Sequence, residues 1–95
     1  MRLYLDTAEK DDWKHWMPSG AFYGITTNPL LTARAGLVYD QINWQDMVQT
    51  AADYGAQEFH AQVVGTDVHA LKFADHMYKL GISAGLECVI KIPLN

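Results

Sequence analysis

Short apolar runs recur along this chain, and stretches of helical spacing separate them. Leu3 to Asp6 predicts a first strand. Thr7 then caps a helix over about residues 8–17, stopped by Pro18-Ser19-Gly20. Ala21 to Thr27 predicts a second strand, closed by Asn28-Pro29, and a short helix over about 29–35 carries Pro29 in its first turn. Gly36 to Asp40 reads as a loop. Asn43 caps a helix over about 44–54 with Ile42, Met47, Val48 and Ala51 as its apolar stripe, and Gly55 ends it. Glu58 to Val64 predicts a third strand. Thr66 or Asp67 caps a helix to Leu80, with Leu71, Ala74 and Tyr78 on one face and Gly81 as its stop. Leu86 to Ile92 predicts the fourth strand.

The order is therefore β-α-β-α-β-α-β. Alternation at this spacing implies an α/β fold with a parallel sheet and right-handed crossovers. Two architectures fit: half of an eight-stranded (β/α) TIM barrel, or a small open parallel sheet. Composition and periodicity do not choose between them.

Ninety-five residues allow one domain, residues 1–95, and 49% apolar content is enough for a real core. The formal charge is −4 with no basic stripe, which argues against nucleic acid and against an anionic membrane surface. No apolar run is long enough to span a bilayer. Cys88 is the only cysteine, so no internal disulfide can form and a reducing compartment is expected. The opening Met1-Arg2-Leu3-Tyr4-Leu5-Asp6 is already strand-like and leaves no room for a signal peptide. The expectation is a soluble, cytoplasmic protein.

The chemistry sits in polar residues within strands. Lys91 lies inside Val89-Ile90-Lys91-Ile92-Pro93. An ammonium in such a run must find a partner or be held neutral, and a neutral, partly desolvated amine is what Schiff-base carbonyl chemistry uses. The plainer reading is a lysine snorkelling from a strand end. Strands alternate faces with period two, so Tyr4 and Asp6 share a face, as do Thr26 and Asn28, His60 and Gln62, and Val89 and Lys91. If these faces line a barrel, Asp6, Asn28, Gln62 and Lys91 converge at its C-terminal mouth, where sites of this architecture form. Asp6 and Asn28 also suit turn or capping roles, and Thr26 and Thr27 are good strand formers. The four histidines lie on different elements or two turns apart, so no metal site is expected. His60 stands out because it shares a face with Gln62. Cys88 falls off the Lys91 face and reads as a packed outward residue, and Trp13, Trp16 and Trp44 as core or interface anchors.

Four segments carry a family resemblance. Leu3-Tyr4-Leu5-Asp6-Thr7, Gly24-Ile25-Thr26-Thr27-Asn28-Pro29, Phe59-His60-Ala61-Gln62-Val63 and Val89-Ile90-Lys91-Ile92-Pro93 resemble the first four strand motifs of the transaldolase family, in its order and at roughly its spacing. The likeness is greatest to the small-subunit branch that includes the fructose-6-phosphate aldolases. It implies a TIM-barrel scaffold and a class I aldol mechanism that uses no metal or other cofactor. Lys91 would form a Schiff base with a ketose, a sugar phosphate or dihydroxyacetone-type substrate. Asp6 would handle the proton of the hydroxyl beside the breaking bond, and Asn28 would hold a hydroxyl of the dihydroxyacetone unit. Thr26 and Gln62 would position a proton-shuttling water, with Thr27 alongside among the substrate-binding residues. Classical transaldolases carry Glu where this chain has Gln62, which tilts the reading toward aldolase. A neutral amide orients a water but cannot take its proton.

In the family, four more strands, a further catalytic tyrosine or its equivalent, and the phosphate-holding arginine and serine come from the second half. Three readings stay open: an inactive N-terminal fragment, a half-barrel that pairs with a second copy, or a binding module that kept the scaffold. Asn95 ends the chain inside an expected strand-to-helix loop, which favours the first. Exposed strand edges and an uncovered inner face favour self-association, a dimer being the expectation, with little turnover by the isolated half.

Overall fold

One face of the sheet collects almost all of the buried apolar surface, and this decides the architecture. The computed structural model describes residues 1–65 and 67–92, with Asp67 by its backbone alone. Strands β1 (Tyr4–Asp6), β2 (Gly24–Thr26), β3 (Glu58–Gln62) and β4 (Glu87–Lys91) alternate with helices α1 (Lys10–Trp16), α2 (Pro29–Arg34), α3 (Trp44–Asp53) and α4 (Asp67–Ala84). Short 3-10 turns occupy Met17–Ser19 and Tyr39–Gln41. The strands pair in the order β1-β2-β3-β4, all parallel. Leu5, Ile25, Phe59, Ala61, Cys88 and Ile90 point to the helices and meet Trp13, Met17, Trp44, Met47, Val48, Ala51 and Met77 in one core. Phe59 is its centre: fully buried, it takes the edges of Trp13 and Trp44 at centroid distances of 6.0 and 6.5 Å. An open doubly wound sheet places helices on both faces. Sequential parallel strands with α1, α3 and α4 packed on one side instead form half of a (β/α) barrel, not closed on itself.

Local signals explain most boundaries. Asn28 caps α2 by accepting the Leu31 N–H at 2.8 Å, with Pro29 at the first helical position. Asn43 caps α3 through the Asp46 N–H at 3.0 Å. A Lys10–Asp46 ion pair ties the first turns of α1 and α3. Thr7 acts earlier than expected: its hydroxyl accepts the Glu9 N–H and donates to Asp12, so α1 starts only at Lys10. The second strand is shorter than residues 21–27, although the Tyr23 N–H and carbonyl still bond to Leu3 and Gln57. Capping by Thr66, and the position of Pro93, lie outside the described residues.

Two features of α4 depart from the sequence reading. The helix runs through Gly81 to Ala84, and Gly85, at a φ of 82°, is the residue that ends it. The Gly85 and Leu86 N–H groups both bond to the Gly81 carbonyl. Gly81 is buried where α4 crosses β4. A Cβ there would lie 2.8 Å from the Leu86 carbonyl oxygen and 3.2 Å from Cys88 Sγ. Glycine thus serves close approach rather than termination. Second, Leu71 and Tyr78 face away from the core with Val68 and Ile82, all more than 60% exposed, while Ala70, Phe73, Met77 and Leu80 make the packed side. An apolar ridge on both sides of a helix leaves the wheel ambiguous. Trp16 is likewise half-exposed against His15 rather than in the core.

The Gly81→Ala variant tests the close approach. Helix propensity alone favours alanine by about 1 kcal/mol. The clash with the Leu86 carbonyl outweighs this, and urea unfolding is expected to show a net loss of about 1–3 kcal/mol. A stabilised variant would mean that α4 lifts from β4 at little cost.

Candidate active site

Because one face of each strand, Leu5, Ile25, Phe59 with Ala61, and Cys88 with Ile90, is committed to the helices, the other face gathers the polar residues. Register sorts them into tiers. Tyr4, Gly24, Glu58 and Glu87 stand level at the N-terminal end, and Asp6, Thr26, His60 and Val89 form the next tier. Gln62 and Lys91 pair at the C-terminal end. The structure therefore brings Asp6, Thr26, Gln62 and Lys91 onto one face. Thr26 donates its hydroxyl hydrogen to Asp6 Oδ1 at 2.5 Å, a short charge-assisted bond that fixes both side chains. Above them, Tyr39 from the 3-10 turn donates to the Gln62 carbonyl at 2.9 Å and steadies the end of β3. Burial raises the Tyr39 phenol above its ordinary pKa, so it remains a donor at neutral pH.

Lys91, Asn28 and Thr27 differ in how far the structure engages them. Lys91 is exposed and makes no ion pair among the described residues. The desolvation expected of a lysine in an apolar run is not supplied by this half, because β4 is the edge of an unclosed sheet. Asn28 has its Oδ1 engaged in capping α2, which leaves the amide N–H groups as its outward chemistry. Thr27 is engaged within the sheet. It is only 2% exposed, and both its N–H and its hydroxyl bond to the His60 carbonyl at 2.8 Å. It ties β2 to β3 beneath the site.

The largest polar cluster on this face was not among the expected site residues. Glu58, 7% exposed, accepts from Tyr4 Oη at 3.0 Å and His60 Nε2 at 2.9 Å, with Arg2 at 3.4 Å. Arg2 also lies over the Tyr23 ring, 4.2 Å from its centroid. Gly24 makes the cluster possible. A Cβ there would come within 2.7 Å of the Glu58 carbonyl oxygen and 3.1 Å of the Tyr4 ring, so only glycine lets Tyr4 reach across β2. The His60 hydrogen bond, aided by Tyr4 and Arg2 and opposed by burial, holds the Glu58 carboxyl below the ordinary carboxylate value. Burial, with the Glu58 bond and charge, raises the Tyr4 phenol. The alternation Glu58, His60, Gln62 in one strand is the signal that could have revealed the cluster.

A groove of about 490 Å³ lies elsewhere, lined by Ala8, Lys10, Leu37, Ile42, Asp46 and Met47. Its lysine, Lys10, is held in an ion pair with Asp46. The chemistry instead belongs to the polar sheet face. Among the described residues no three His, Cys, Asp or Glu side chains gather to hold a metal ion.

Glu58 sets a pH dependence with a definite sign. A carboxyl whose pKa falls on folding adds stability above its unfolded value, near 4.5, and loses it as pH drops through the lower folded value. Glu58→Gln is expected to lower stability by about 1–2 kcal/mol at pH 7, from the weaker bonds to His60 and Tyr4. Denaturant midpoints of the two proteins should converge below pH 4.5. A gap that stays constant through that range would mean that the Glu58 charge does no stabilising work.

No protein-family model matches the chain. Over its whole length, however, it resembles curated proteins described as probable transaldolases. One from Phenylobacterium zucineum is 31% identical over 95 residues, covering 100% of this chain and 40% of that protein. One from Heliobacterium modesticaldum is 33% identical over 94 residues, covering 99% and 40%. A third, from Lactiplantibacillus plantarum, reaches 40% identity over 42 residues. The chain spans about 40% of the length of the full-coverage relatives it matches. Four parallel strands in sequence and these whole-length matches make the chain similar to a stretch of about 40% of the probable transaldolases.

Proposed function

We propose that this chain carries the Schiff-base portion of a class I aldol site acting on a ketose, of the sugar-phosphate or dihydroxyacetone type. The observation that carries the reading is the register of Gln62 with Lys91, on the same face as the Thr26–Asp6 pair. The Lys91 amine adds to the ketose carbonyl, and loss of one water gives the imine. Once protonated, the imine accepts the electron pair of the adjacent carbon–carbon bond. Asp6 takes the proton from the neighbouring hydroxyl as that bond breaks, and an aldehyde leaves. Water held by Thr26 and Gln62 returns a proton to the remaining carbon. Asn28 donates its amide N–H to a hydroxyl of the bound unit, and Thr27 keeps the floor in place through the His60 carbonyl. Gln62 favours aldol cleavage over transfer, because a neutral amide orients water without deprotonating it.

The reading also requires the polar face to be covered. We propose that the 95-residue chain does so by pairing with a second copy, joining the open edges of β1 and β4. Sedimentation at micromolar concentration is expected to give a dimer, and a well-folded monomer would overturn this part of the reading.

Borohydride trapping with dihydroxyacetone tests the chemistry. The expected result is one reduced adduct, mapped to Lys91 by peptide mass and absent from Lys91→Met. A folded sample that takes up no adduct would refute the assignment.

A further inference from the structure

The imidazole of His60 has an unspent bonding capacity. Its Nε2 meets the Glu58 carboxylate at 2.9 Å. A neutral imidazole has one donor and one acceptor nitrogen, so an Nε2–H given to Glu58 leaves Nδ1 as the acceptor. Nδ1 is shielded from solvent and has no partner among the described residues. Buried acceptors are nearly always satisfied, and one that is not calls for an explanation. Relaxation is restricted on several sides. Glu58 is held by Tyr4 and Arg2, the Tyr4 ring tilts against the imidazole at 5.1 Å, and Thr27 pins the His60 carbonyl twice. The His60 side chain still keeps 14% of its surface exposed, level with Thr26 and Asp6 and two residues below Gln62.

A ketose ligand is rich in O–H donors, each needing an acceptor. On this face Asp6 already accepts from Thr26, and the Asn28 oxygen is committed to the Leu31 N–H. We propose that His60 binds substrate: Nδ1 accepts a hydroxyl of the bound ketose, and Glu58 fixes the tautomer that makes this possible. A hydroxyl that reaches Nδ1, with a small shift of the surrounding tier, gains a hydrogen bond without stripping water from the nitrogen. The inference rests on the reading of this face as a ketose site.

The test is 15N NMR of the histidine rings in the full chain, with dihydroxyacetone as the probe. The unliganded protein is expected to show His60 as the Nε2–H tautomer, and the Nδ1 resonance to move on titration. An Nδ1–H tautomer, or an Nδ1 signal that ignores saturating probe, overturns the proposal. Two variants separate contact from packing. In His60→Asn the side-chain oxygen stands near the place of Nδ1, and binding is expected within about threefold of the parent. His60→Gln keeps reach to Glu58 but not that acceptor, and is expected to bind about tenfold more weakly. Equal affinities would count against the proposal, and if either variant fails to fold the Nδ1 titration decides. Borohydride trapping on the same samples judges Lys91 separately. A Nδ1 response without an adduct sinks the Schiff-base reading and keeps the His60 site, whereas an adduct without a response does the reverse.

Discussion

Burial of Phe59 between Trp13 and Trp44 is the contact on which the rest of the arrangement depends. It commits the odd positions of β3 to the helices. Parallel pairing then hands the same commitment to Ile25 and Cys88, the Cα partners of Phe59, and through Ile25 to Leu5. A slip of one residue would turn every side chain over, sending Phe59 to the polar face and His60 into the apolar core. The placement of Asp6, Thr26, Gln62 and Lys91 on one surface is thus a by-product of hydrophobic burial on the other.

Under the residues proposed for chemistry lies a hydrogen-bonded floor. Gly24 contributes by having no side chain, Tyr4 by spanning β2, and Glu58 by accepting from three partners on β1, β3 and the N-terminal segment. Within it the Glu58 carboxylate is fully engaged, and His60 Nδ1 is the atom left without a partner among the described residues. The floor connects to the next tier through His60, whose side chain meets Glu58 and whose carbonyl accepts both Thr27 bonds.

Much of this could be read from residues alone, and the failures share a cause. Asn28-Pro29 and Asn43 announce their helices because capping is a local property, decided within three or four residues. Period two placed Asp6, Gln62 and Lys91 together because strand faces follow from counting. Gly81 could not be read that way: whether a glycine ends a helix or admits a neighbouring strand depends on Leu86 and Cys88, which are its partners only after α4 has docked. Leu71 and Tyr78 misled for a similar reason, since a helix with two apolar stripes does not say which one the sheet will take. The state of Lys91 depends on what lies across the open face, which no residue within this strand determines.

The contact between Gly81 and Cys88 also has a practical side. Wedged against α4, with its thiol pushed up to about 11 by burial, Cys88 has almost no thiolate at neutral pH. The one native sulfhydryl is therefore chemically quiet. A second cysteine placed on the opposite surface of the same strand, as in Val89→Cys, would react alone with alkylating labels. Fluorophores or spin probes could then be attached to the polar face without first removing anything, and the labelling rate would report directly on how that face becomes covered.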